Sequence, residues 1–133
     1  MKYAVLLLLL AAAPAFAASP VKLKAVDVAR DAVKHPGTID KKYAGKNDIT
    51  VTGSFLDYDT YGAMVGQAHK ALLMQGMTGE DVIIGSKVQF NPQNNDDSVV
   101  PAGLKKGQAV TAHCTKLEEI MRGQVLLSGC TFK

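Results

Sequence analysis

The sequence predicts a small, mainly-β domain with helices added to it, and three observations carry that prediction. Ile49-Thr50-Val51-Thr52-Gly53-Ser54-Phe55 alternates strictly, the period of a half-buried strand. Two further β-rich stretches, Gln108 to Lys116 and Gln124 to Phe132, flank a turn at Arg122-Gly123. The clearest helical period is short and lies before all of these, at Val26 to Val33.

The first residues belong to a separate unit. Met1-Lys2-Tyr3 is followed by an unbroken apolar run from Ala4 to Ala13 and then by Pro14-Ala15-Phe16-Ala17. A charged start, a short apolar run and a small-x-small site are the order that signal peptidase reads, so cleavage is expected between Ala17 and Ala18. A spanning helix takes about 20 apolar residues, and Pro14 closes this run sooner. No cysteine stands near the cleavage point to take a lipid. The expectation is therefore a periplasmic or secreted protein with no membrane span.

Removing residues 1–17 from the 133 leaves 116, the size of one domain with one core. Losing Lys2 takes the basic residues from 15 to 14, against 12 acidic ones. A nucleic-acid binder advertises a basic face, whereas the small groups Lys41, Lys42, Lys46 and Lys105, Lys106 are interspersed with acids and read as solvated. No nucleic-acid partner is expected.

In the helix at 26–33, Val26, Val28, Ala29, Ala32 and Val33 recur on one side and Asp27, Arg30, Asp31 and Lys34 on the other. His35-Pro36-Gly37 stops it. After a polar connector ending Tyr43-Ala44-Gly45-Lys46 comes the strand at 49–55, with Gly53 as a bend or bulge. Tyr61, Met64, Val65, Ala68, Ala71 and Leu72 then fit one helical face, which predicts an inserted helix over residues 61–77, weakened by Gly62 and Gly66. Val82-Ile83-Ile84 and Lys87 to Phe90 read as short strands, Asn91 to Asp97 as a polar loop, and Val99 to Leu104 as a helical turn. With the two C-terminal stretches the total is five strands in one compact domain.

Five strands with a helical turn between the third and fourth suit the OB-fold, a small Greek-key barrel. The segments Asp40-Lys41-Lys42-Tyr43-Ala44-Gly45-Lys46, Ile49-Thr50-Val51-Thr52-Gly53 and Leu104-Lys105-Lys106-Gly107-Gln108-Ala109-Val110-Thr111, with a cysteine in each of the last two strands, resemble the exported tRNA-anti-like OB-fold family. The resemblance implies a five-stranded OB-like barrel preceded by a helix, here with a helical insertion after the first strand. Its name refers to kinship of fold with anticodon-binding domains, an activity not expected of an exported chain.

Cys114 and Cys130 are an even pair in an oxidising compartment, which predicts a disulfide. A hairpin centred on Arg122 sets Cys114, eight residues before it, opposite Cys130, eight residues after it. Directly opposed side chains lie within reach of a bridge.

No catalytic constellation emerges. His35, His69 and His113 accompany no nucleophile motif, and His113, alternating with Cys114, is expected to face solvent. Two cysteines and one histidine do not complete a zinc site. Met64, His69, Met74 and Met77 are soft ligands suited to copper, but the five-residue step from His69 to Met74 does not share a helical face. No metal and no cofactor are expected.

What remains is binding. Phe55 and Phe132 fall where the core would be, leaving Tyr58, Tyr61 and Phe90 as candidate ligand contacts. Met64, Val65, Ala68 and Leu72, on the apolar face of the inserted helix, are candidate self-association residues. That face must close either as a lid beside Tyr58 and Phe90 or against a second copy, most commonly as a two-fold dimer. The first expectation is an exported, non-enzymatic binding domain for a protein or an envelope glycan. The alternative is a structural or assembly subunit that self-associates through residues 61–77.

Overall fold

A computed structural model describes residues 20–76, 87–121 and 124–133. The leader with its Ala17/Ala18 cleavage point, the strand expected at Val82-Ile83-Ile84, Met77 and the Arg122-Gly123 turn lie outside the described residues. Strand β1 (Val21–Lys24) leads directly into helix α1 (Ala25–Lys34), and a single-turn helix, α2 (Ile39–Lys42), follows. Then come β2 (Ile49–Tyr61), β3 (His69–Gln75), β4 (Lys87–Pro92), β5 (Ala109–Cys114), β6 (Lys116–Met121) and β7 (Gln124–Phe132). The fold is mainly β, with seven strands among the described residues rather than five.

Strand β2 is long enough to serve two neighbours in succession. Its first half, Ile49 to Ser54, pairs antiparallel with β5, and its second half, Phe55 to Tyr61, pairs antiparallel with β3. A register shift between Phe55 and Asp57 marks the change, as a bulge bends a strand and adds twist. From β3 the sheet continues to β4 and then to β7, which runs parallel to β4. β7 meets β5, and β5 returns to β2, so five strands form a closed ring. Closure leaves no free edge among these five, while β1 and β6 each pair on one side only. β1 lies parallel to the start of β2, outside this ring.

Burial alternates along β4 and β5, and Phe55, Leu72, Met74, Val88, Phe90, Val110, Ala112 and Leu127 belong to the buried core. α1 contacts β2, β3, β4 and β7; a helix reaches four strands of a five-strand ring only by lying across one of its ends. Three of its four buried residues are alanines, Ala25, Ala29 and Ala32, beside Val28, which permits close approach. At Gly53 a Cβ would stand 2.9 Å from the Ala25 Cβ and 2.8 Å from the Met74 sulfur. Gly53 is thus where the helix meets the barrel wall, rather than the bend the sequence predicted. Val26, counted on the apolar side, is instead 37% exposed.

The largest correction concerns the helix expected over residues 61–77: in the described part, 61–76, there is no α-helix. Tyr61 ends β2, a 3₁₀ turn at Ala63–Val65 reverses the chain, and β3 occupies His69–Gln75. Gly62 and Gly66 take left-handed φ values of 77° and 83°, which an α-helix does not contain and which glycine adopts without steric cost. The run Ala71-Leu72-Leu73-Met74 is buried throughout, so it lacks the alternation that identifies a strand. The helical turn expected at Val99 to Leu104 is displaced as well: 3₁₀ turns form at Gln93–Asn95 and Asp97–Val99, where Asp96 caps by accepting from the Ser98 N–H.

At the C-terminal side β5 and β6 both pair with β7 in a register symmetric about residue 122, from Ala112↔Phe132 through Leu117↔Leu127 to Glu119↔Val125. β5 passes to β6 at Thr115, whose N–H bonds to the Ser128 carbonyl. Gly129, with φ 65°, lies against this break, and a Cβ there would collide with the Thr115 side chain. Gly129→Ala should therefore destabilise the fold by about 2–3 kcal/mol, through a left-handed alanine plus overpacking. Gly37→Ala, at φ 80° but with open space around it, should carry only the conformational part, about 1–2 kcal/mol. Equal urea midpoints for the two variants would contradict the close contact.

Candidate functional site

One end of the barrel carries the hairpin between β2 and β3. Its turn is held by bonds from the Val65 and Gln67 N–H groups to the Gly62 carbonyl, 3.1 and 3.2 Å, and from the Gly66 N–H to the Ala63 carbonyl, 3.2 Å. On this ordered tip Met64 and Val65 are 102% and 83% exposed. Apolar side chains held in water on a fixed turn lose the burial that ordinarily stabilises them.

The four residues expected to form one self-association face do not share a surface. Met64 and Val65 are on the tip, Ala68 is exposed at its base, and Leu72 is fully buried inside the barrel. The difference follows from the strand: β3 turns Leu72 toward Tyr58 and Phe90, whereas a helix would have carried it outward with Val65.

Phe90, a candidate ligand contact by sequence, is 0% exposed. Along Lys87–Pro92 burial alternates with period two, which places Val88 and Phe90 inward. Tyr58 and Tyr61 act chiefly as clasps for the connection from β4 to β5. The Tyr58 hydroxyl donates to the Pro101 carbonyl at 2.5 Å and accepts from the Leu104 N–H at 3.2 Å. Its ring packs on Phe55 with centroids 4.7 Å apart, and the Lys70 ammonium stands 4.0 Å from the ring centroid, a cation–π distance. The Tyr61 hydroxyl donates to Asn95 Oδ1 at 2.7 Å. Asn94 and Asn95 both adopt positive φ, 56° and 53°, so this clasp secures a backbone that is unfavourable on its own.

His69 pairs with Tyr61 across the strands, with ring centroids 5.5 Å apart. Its Nδ1 lies 3.6 Å from Asp97 Oδ1, which also accepts from the Lys70 N–H at 2.9 Å. Burial, and then the Asp97 charge, push the Tyr61 hydroxyl pKa upward. A raised tyrosine pKa favours the protonated form in the folded state, so the clasp is fully present below the ordinary tyrosine value. It is lost as pH rises through the raised one. An absorbance titration should show a late-forming tyrosinate that Tyr61→Phe lacks; a wild-type curve with no tyrosinate later than the ordinary value would contradict the burial of this hydroxyl beside Asp97.

Cys114 and Cys130 are joined, with an S–S distance of 2.08 Å and Cα atoms 4.1 Å apart, and both are buried. His113 sits half-buried on β5, its Nδ1 2.9 Å from the Thr50 hydroxyl. Met74 is in the core while Met64 stands in solvent, so these two sulfurs are not brought together. Among the described residues no three His, Cys, Asp or Glu side chains cluster as a metal site, and no helix is long and apolar enough to cross a membrane.

The arrangement defines a disulfide-bonded, mainly-β domain with an exposed apolar hairpin tip. Comparison with family models, curated proteins and solved structures finds no match to this chain.

Proposed function

We propose that this chain is an exported, non-enzymatic binding domain on an OB-like Greek-key barrel, and that it recognises a protein through the β2–β3 hairpin. The observation that carries the reading is the ordered exposure of Met64 and Val65, because exposed apolar residues fixed in place suit insertion into a partner's pocket. The barrel supports the fold reading: in chain order its ring strands run first, second, third, fifth, fourth, with third and fifth parallel. Turns at Gln93–Asn95 and Asp97–Val99 lie between the third and fourth. The hairpin is the first connecting loop of such a barrel, one of the loops used for binding. We also propose kinship with the exported tRNA-anti-like OB-fold proteins, on the segments Asp40 to Lys46, Ile49 to Gly53 and Leu104 to Thr111. The leader sequence and the disulfide support a periplasmic or secreted location.

A protein fits better than an envelope glycan, because sugars stack on open ring faces while Tyr58 and Tyr61 are half-buried and hydroxyl-bonded. A second copy of the chain is the alternative occupant of the same tip. A photo-crosslinking residue at position 64 in cells should trap a partner, and Val65→Ser should reduce that adduct without moving the melting temperature. An adduct of twice the chain mass assigns self-association. No more adduct than from position 105, on the exposed Lys105, would refute the reading.

A further inference from the structure

The polar side of α1 does more than meet solvent. Asp27, Arg30, Asp31 and Lys34 follow the i, i+3, i+4, i+7 spacing that puts them in one row, and that row forms one wall of a cleft of about 360 Å³. Lys42 and Tyr43 stand on the other side, and the half-buried Leu23 supplies apolar lining above the buried Val28. Ligand sites in proteins begin at about 300 Å³ and combine an apolar surface with a few polar groups.

The charges around this cleft do not cancel. Asp27 takes Arg30 Nη1 at 2.9 Å, and Asp31 takes Lys42 Nζ at 2.8 Å, a bridge that ties α2 to α1. The bond to Asp31 raises the Lys42 pKa, which keeps that side chain charged. Both carboxylates are thereby matched, while Lys34 has no carboxylate partner among the described residues. The uncompensated charge is positive, and it lies beside apolar surface and the Tyr43 ring.

We propose that this cleft binds a small organic anion. Its carboxylate or phosphate group is held by Lys34 together with the guanidinium donors that Arg30 does not direct at Asp27, and its apolar body rests on the half-buried Leu23 and Tyr43. Charge-assisted bonds of this kind are stronger than neutral ones and weaken with added salt. The site is independent of the hairpin tip, so either proposal stands without the other.

Titration of the full mature chain with phenylacetate, phenyl phosphate and phenethylamine, followed by amide chemical shifts, tests it. At least one of the two anions should produce saturable shifts within residues 23–43, and the better binder identifies the head group. Phenethylamine, with the same ring and opposite charge, should not. Lys34→Glu, an exposed change whose stability cost is the favourable charge lost from the last turn of α1, should raise the dissociation constant of the bound anion, measured well below the melting temperature, by about tenfold or more. Saturation by the amine at equal affinity, an anion affinity unmoved by Lys34→Glu, or no saturable shift with either anion would each overturn the proposal.

Discussion

Phe90→Ala should lower the stability of the domain by about 3–5 kcal/mol, the loss typical of a fully buried aromatic residue replaced by a cavity. Phe90 is 0% exposed and sits in register with Leu72 on β3 and Leu127 on β7. Its ring therefore fills the barrel where the parallel and antiparallel pairings meet. Phe90→Leu keeps most of the volume and should cost less than about 1.5 kcal/mol. Urea unfolding measures both. A Phe90→Ala protein that keeps the wild-type midpoint while losing a ligand would return Phe90 to the binding role its sequence position allowed.

Replacing both cysteines by alanine should cost about 3 kcal/mol, because the bridge between Cys114 and Cys130 closes a loop of 16 residues whose entropy in the unfolded chain is then restored. For a domain of this size that is a fall in melting temperature of roughly 10 °C. With relative exposures of 3% and 0% for the two residues, the bridge in the folded protein should resist a thiol reductant that cleaves it rapidly in denaturant. Rapid labelling of two thiols after mild reduction of the native protein would contradict the burial of the sulfurs.

The disulfide and the C-terminal register were legible because symmetry about residue 122 follows from turn position alone, and β6–β7 pairing obeys it as far as Glu119↔Val125. The strand Ile49 to Phe55 was legible for the same kind of local reason, its period-two alternation. What the residues concealed depends on the rest of the molecule. β3 has neighbours on both edges and buried side chains on both faces, so Ala71-Leu72-Leu73-Met74 carries no period, and the preceding apolar residues complete a false helical stripe. β1 is only four residues long, and its parallel partner is 28 residues away in register, a pairing no local pattern announces. Of the candidate site residues, Tyr58 and Tyr61 prove to be clasps because their hydroxyl partners lie 34 to 46 residues further along the chain. The exposed Met64 and Val65 were recognised as apolar surface, but on a helix rather than a turn.

The position of β7 in the ring bears on the order in which the chain can fold. β7 alone touches β4, β5 and β6, and the Thr111 and Lys133 main chains exchange two bonds beyond it. A chain delivered N-terminus first can build the β2–β3–β4 meander as soon as those residues emerge, since its contacts are local. The edges of β4 and β5 that await β7 then stay open, and open strand edges are where foreign chains attach. The vulnerable interval is thus set by the arrival of β7, from the emergence of Cys114 to the docking of Phe132.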